Sequence, residues 1–145
     1  MKLLIQRVSS ASVSVDSSVV SEIEKGLCVF IGFCREDSES VIETGVKKML
    51  NLRIFEDEKN KMNRSVKDIN GEILCVSQFT LCSDVQSGNR PGFDSAMESE
   101  KAGILFDRFC ETASKEIKTK RGVFKSLMDV RLVNHGPATF ILELK

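Results

Sequence analysis

Histidine-based catalysis has little to draw on in this chain. His135 is the only histidine among 145 residues, and G-x-S-x-G is absent, so no Ser-His-Asp arrangement can be read. Five cysteines are present, an odd count with no C-x-x-C. Beside a single histidine they make no ligand set at metal spacing, and no metal is expected. No glycine motif that cradles phosphate occurs, and no cofactor is expected. No apolar run approaches the ~20 residues that span a bilayer. The run in MKLLIQRVSS is broken by Gln6 and Arg7, which argues against a signal peptide. The expectation is a cytoplasmic protein without a membrane partner, its cysteines buried and reduced. Lys+Arg and Asp+Glu each number 21, so bulk charge does not advertise a nucleic-acid partner. Such a partner must meet a local patch. There are no repeats, low-complexity tracts or linkers, and the length favours a single domain over 1–145.

What is present is strand-rich. Residues 2–8 (KLLIQRV) alternate as a strand, and Ser12-Val13-Ser14-Val15 as a second. Val19 to Ile23 reads as a hairpin partner, and Leu27 to Phe33, almost wholly apolar, as a central strand. After cap candidates Asp37 and Ser38, the apolar positions Val41, Ile42, Val46, Met49 and Leu50 predict a helix of about three turns. Gly45 weakens it unless another element packs closely there. Leu52 to Phe55 reads as a short strand, and Glu72 to Leu81 as a longer one following an Asn70-Gly71 turn. Asp94 or Ser95 caps the longest predicted helix, 98–118, whose stripe through Leu105, Phe106 and Phe109 reads as core. A strand carrying Phe124, Ser126, Met128, Val130 and Leu132 on one face follows. It breaks at Asn134–Pro137, and Ala138 to Leu144 forms the last strand. The whole predicts a two-layer α/β domain, α+β-like, with two main helices and a mixed, mostly antiparallel, barrel-like sheet.

Two stretches break the apolar pattern. Ser77-Gln78-Phe79-Thr80-Leu81 turns a buried strand abruptly polar, and Asn134-His135-Gly136-Pro137-Ala138-Thr139 interrupts another. Backbone N–H groups at the first can stabilise an oxyanion. Thr80 is the best-placed hydroxyl but has no evident base to activate it. Gly136 lets another chain approach closely and Pro137 adds rigidity, although Gly-Pro alone reads most simply as a turn. Arg7, among apolar neighbours, either keeps its head in water at an edge or braces a nearby loop.

Taken together, Ser77-Gln78-Phe79-Thr80-Leu81, Arg90-Pro91-x-Phe93 and Asn134-x-Gly136-Pro137-x-Thr139 resemble the D-aminoacyl-tRNA deacylases. The likeness runs nearly end to end, through Gln6-Arg7-Val8, Asn51-Leu52-Arg53-Ile54-Phe55-Glu56-Asp57 and Lys61-Met62-Asn63-Arg64-Ser65. The resemblance implies a cytosolic homodimer that hydrolyses the ester between a D-amino acid and the 3′ end of tRNA. It implies a cis Gly136-Pro137 bond inserted into the partner's pocket to exclude L side chains. Phe79 and Thr80 would act through their N–H groups, and Ser77, Gln78 and Ala138 would line the pocket. Arg7 and Asn134 would support it, and the tRNA's own 2′-hydroxyl would assist. A pocket that excludes by clash should also admit glycine.

The chain departs from that pattern at Cys82, at Ala138, and in the thinned basic loop Ser87-Gly88-Asn89-Arg90-Pro91-Gly92-Phe93. The thinning puts tRNA affinity in question and keeps a non-catalytic RNA-binding module as an alternative. A generic esterase is the third reading. Lys47, Lys48, Arg53, Lys61, Arg64 and Arg90 are candidate tRNA contacts, and His135 reads as a surface residue.

Overall fold

Residues 1–86 and 88–145 are described by a computed structural model; Ser87, in the thinned loop, lies outside the described residues. The strands expected at 2–8 and 12–15 are one strand, β1 (Lys2–Val15). Leu3 and Ile5 point towards the helices, whereas Val8, Ala11 and Val13 share the opposite cluster. A two-residue period cannot send 3, 5 and 11, 13 to opposite faces. The register shift between Val8 and Ser10 supplies the change of phase.

β2 (Ser18–Ile23), β3 (Gly26–Gly32) and the C-terminal strand all pair antiparallel with β1. α1 (Ser40–Leu50) follows β3. The two-residue β4 (Phe55–Glu56) and β5 (Met62–Arg64) make a separate ribbon, in place of the strand expected at 52–55. β6 (Glu72–Ser77) lies parallel to β3, and β7 (Thr119–Arg121) parallel to β6, with α2 (Ser99–Ser114) between them in sequence. β8 (Asp129–Glu143) completes a six-stranded mixed sheet. The sheet curls until β2 meets β7, where the Ser21 hydroxyl donates to the Arg121 carbonyl at 2.6 Å. The result is a nearly closed barrel filled by Val8, Val13, Ile23, Cys28, Leu74 and Val76. Both helices cover the outer face through Val46, Met49, Leu105, Phe106 and Phe109.

Several expectations are corrected. Asp37 does not cap α1: its carboxylate accepts from the Cys34 N–H at 2.6 Å and pairs with the Met1 ammonium. α2 begins after Glu98 without a side-chain cap and ends at Ser114, four residues short of the predicted end. Residues 122–128 are irregular rather than strand, and β8 runs unbroken through Asn134–Pro137. Gly45 sits where an added Cβ would lie 2.3 Å from Met1 Cε, so the N-terminal residue packs directly against α1.

The cysteines are not all reduced. Cys34 and Cys82 form a disulfide, while Cys28, Cys75 and Cys110 are buried and free. Burial pushes the Cys28 thiol up to about 12. The Cys75 thiol is also raised, by its hydrogen bond with Cys110 and by burial. The disulfide closes a separation of 48 residues. On chain-entropy grounds, opening it should cost about 4 kcal/mol. We expect a clear fall in denaturation midpoint with a dithiol reductant, matched by the Cys34→Ser/Cys82→Ser variant. Identical midpoints with and without reductant would show that the bond contributes nothing.

Candidate active site

The strand expected through Leu81 stops at Ser77. The chain then enters a 3-10 turn, Phe79–Cys82, at the end of the buried β6. Gln78 stays in the sheet, donating its N–H to the Ile31 carbonyl at 2.7 Å. The turn is packed hard against β3: a Cβ on Gly32 would lie 2.8 Å from the Gln78 carbonyl and 2.9 Å from Leu81 Cβ. Phe79 and Thr80 are the first two residues of the turn, so their N–H groups have no partner within it. The Gln78 side-chain amide donates to the Thr80 hydroxyl. The Thr80 carbonyl accepts from the Ser83 N–H at 3.1 Å and the Ser83 hydroxyl at 2.7 Å. Among the described residues no base addresses Thr80; the free groups are backbone donors.

A cavity of about 520 Å³ opens beside this turn, bounded by Ser77, Gln78 and Phe79 on one side and by residues 124–128 on the other. Its floor is Val76, Ala102 and Phe106. The size suits a small-molecule or nucleotide end. Phe93, from the Arg90-Pro91-x-Phe93 stretch, leans on Phe79 with ring centroids 5.2 Å apart. Two of the three notable stretches are thus brought together. The alternation of residues 124–128 mimics a strand and hides their place in the cavity lining. The α2 stripe is core, as its spacing predicts, but Ala102 and Phe106 of that stripe also face the cavity.

The third stretch is built on Arg7. Gln6 pairs with Thr139 and Val8 with Asn134, so four residues of β8, 135–138, stand opposite Arg7 alone. The excess chain bulges outward. Arg7 is 1% exposed, and its guanidinium lies beneath the bulge. Nε donates to the His135 carbonyl at 2.9 Å, Nη2 to the Gly136 carbonyl at 3.1 Å and Nη1 to the Ile54 carbonyl at 2.6 Å. Asn134 Nδ2 donates to the Arg7 carbonyl at 3.0 Å and to the Ala138 carbonyl at 3.3 Å. The Gly136-Pro137 bond is cis, and both residues are exposed, as is His135. Ala138 differs from its neighbours: the whole residue is buried, backbone included, so the pocket-lining role expected for it is not presented at this chain's surface.

Within one chain the two stretches do not meet. Ser77 pairs with Ile31, which pairs with Leu3, while the bulge sits at Arg7, beyond β1. Three strand spacings and four residues along β1 separate them by roughly 20 Å. Of the candidate tRNA contacts, Arg64 pairs with Glu58, and Arg53 donates to the Asn63 carbonyl at 2.8 Å.

A curled mixed sheet with two helices on its outside is also the fold of a solved structure titled a probable eukaryotic D-amino acid tRNA deacylase. The two superpose with a TM-score of 0.87 at 19% identity, over 99% of this chain and 98% of that one. The sequence pattern described as D-Tyr-tRNA(Tyr) deacylase matches residues 4–143. A D-aminoacyl-tRNA deacylase of Thermodesulfovibrio yellowstonii is 49% identical over the full length of both chains. One from Syntrophus aciditrophicus is 47% identical over all of this chain and 98% of its own. The chain therefore belongs to the D-Tyr-tRNA(Tyr) deacylase family, a family of hydrolases. A further solved structure, 44% identical with a TM-score of 0.95 over 100% of this chain and 99% of its own, carries the name c-Myc DNA Unwinding Element Binding Protein.

Proposed function

We propose that this chain, as one domain over residues 1–145, hydrolyses the ester joining a D-amino acid to the 3′ end of tRNA in the cytoplasm, working as a homodimer. Water adds to the ester carbonyl and the C–O bond to the ribose breaks. The amino acid leaves as its acid, and the tRNA regains its 3′-hydroxyl. The observation that carries the reading is the pairing of the unbonded Phe79 and Thr80 N–H groups, beside a largely apolar cavity, with an outward bulge whose carbonyls are held by a buried arginine. The Phe79 and Thr80 N–H groups receive the oxyanion. Ser77 and Gln78 line the pocket, and the terminal adenosine's 2′-hydroxyl assists.

The roughly 20 Å between the stretches favours a second copy: the Gly136-Pro137 bulge of one subunit enters the other's cavity. A bulge backbone braced from beneath by Arg7 cannot swing aside as a side chain would. An L side chain therefore meets a wall, while a D side chain points away. Glycyl-tRNA, with no side chain to exclude, is a side substrate.

The test is release of amino acid from one tRNA charged separately with D-Tyr, L-Tyr and Gly. Fast release of D-Tyr with L-Tyr intact is expected; no release from any charged tRNA overturns the reading. Because no base addresses the Thr80 hydroxyl, Thr80→Ala should keep kcat within about tenfold of wild type. Complete loss of turnover in a folded Thr80→Ala protein would refute a backbone-driven mechanism. A nucleic-acid-binding protein without turnover is the second reading, favoured by the thinned loop and by the name of the 44%-identical structure. It predicts tRNA binding with no release.

A further inference from the structure

The cavity beside Ser77–Phe79 is lined by apolar and neutral polar groups with one exception, Lys125. Lys125 occupies a turn with φ of +62°, a backbone region in which glycine has the least steric cost. Fold stability alone favours glycine at this position, so a lysine there calls for an explanation in its side chain. The turn is anchored from below. The ring of Phe124 packs on Phe106 of α2, with centroids 5.9 Å apart, which sets the next residue at the cavity rim.

Two cations just before it in sequence are engaged elsewhere. Lys118 pairs with Glu72, and Arg121 with Asp107 at 2.6 Å. Among the described residues the Lys125 ammonium has no ion-pair partner and is exposed to solvent. A single uncompensated cation at the mouth of a neutral cavity is a site for one anionic group of a ligand whose body fills the rest.

We propose that Lys125 is a phosphate-binding residue, holding the phosphodiester that joins the last two nucleosides of the acylated RNA end. This rests on the deacylase reading above, in which the ester lies at the Phe79 and Thr80 N–H groups. The phosphodiester is then the nearest anion the substrate carries. Lysine serves phosphate as a mobile point charge, which suits a ligand that must enter and leave. Lys125 thereby makes an RNA ester a better substrate than an ester lacking phosphate. It also partly offsets the cations missing from residues 87–93.

The test compares two D-Tyr esters, one of adenosine and one of the trinucleotide cytidylyl-cytidylyl-adenosine, with wild type, Lys125→Gln and Lys125→Arg. In Lys125→Gln, KM for the trinucleotide ester should rise roughly fivefold with kcat unchanged, as expected for the loss of one solvent-exposed ion pair. The kcat/KM ratio of trinucleotide to nucleoside ester should fall by the same factor, and Lys125→Arg should restore it. The slope of log KM against log salt should decrease by about 0.7, the contribution of one phosphate contact on a single strand. An unchanged ratio in Lys125→Gln, or an equal loss on both esters, overturns the assignment while leaving the deacylase reading intact. A wild type that releases D-Tyr from neither ester nor from charged tRNA overturns both.

Discussion

Gly136→Leu is expected to fold and melt as wild type does while losing at least a hundredfold in kcat/KM on D-Tyr-tRNA. The separation of the two effects comes from what surrounds the residue. A Cβ added at Gly136 meets nothing closer than Asn134 Oδ1 at 3.7 Å, an ordinary contact, and the residue does not have the left-handed φ that would demand glycine. Nothing inside the chain requires a glycine here, so a substitution should fall within about 0.5 kcal/mol of neutral for stability. If the bulge enters a partner's cavity, the four-carbon leucine side chain occupies the volume meant for substrate. Gly136→Ala should show the same stability with a smaller loss of turnover. The measurement pairs a denaturation curve with single-turnover release of D-Tyr. Full activity in Gly136→Leu would place the bulge away from the reacting ester and end the proposed arrangement.

Arg7→Met should damage both properties. Its guanidinium is buried and supplies three carbonyls, two in the bulge and one at Ile54. It also approaches Glu56, with Nη2 4.0 Å from the carboxylate. Methionine fills much of the volume but donates nothing. The bulge carbonyls can turn to water, whereas the Ile54 carbonyl is more enclosed, so a cost of about 3 kcal/mol is expected, or a fall in Tm on the order of 10 °C. A bulge without its brace can yield to an L side chain, so discrimination between D-Tyr and L-Tyr should narrow by at least tenfold. Lysine at position 7 keeps the charge but cannot span three acceptors from a planar fork, so it should be intermediate. Retention of full discrimination by a folded Arg7→Met protein would show that the wall does not depend on this guanidinium.

Much of this was legible in the chain. Apolar runs at 27–33 and 73–76 marked buried strands because both faces of those strands are covered. The 3.6-residue stripe at 41–50 marked α1 for the complementary reason. Errors gathered where local pattern and tertiary demand conflict. Phe124, Ser126 and Met128 alternate as a strand would, yet strand bonding stops at Gly122, whose N–H donates to the Cys75 carbonyl of β6 at 2.9 Å, and residues 124–128 rim the cavity instead. Asp37 has the residue type of a cap but was taken by the Cys34 N–H and the Met1 ammonium, which approach it only in the folded chain. The pairing of Cys34 with Cys82 had no signal in spacing; it follows from the contact of the turn after β6 with the end of β3.

By itself the sequence determined the two helices and the main buried strands, the absence of a histidine-driven triad, and the two polar interruptions at 77–81 and 134–139. These follow from side-chain period and residue chemistry, which are local. Only the tertiary structure decided that Arg7 lies under the 135–138 bulge, that Phe93 covers Phe79, and that Lys125 stands alone at the cavity mouth. It also set the two interruptions roughly 20 Å apart on one chain. Those relations depend on strand register and barrel closure, where a shift of one residue moves every side chain to the other face.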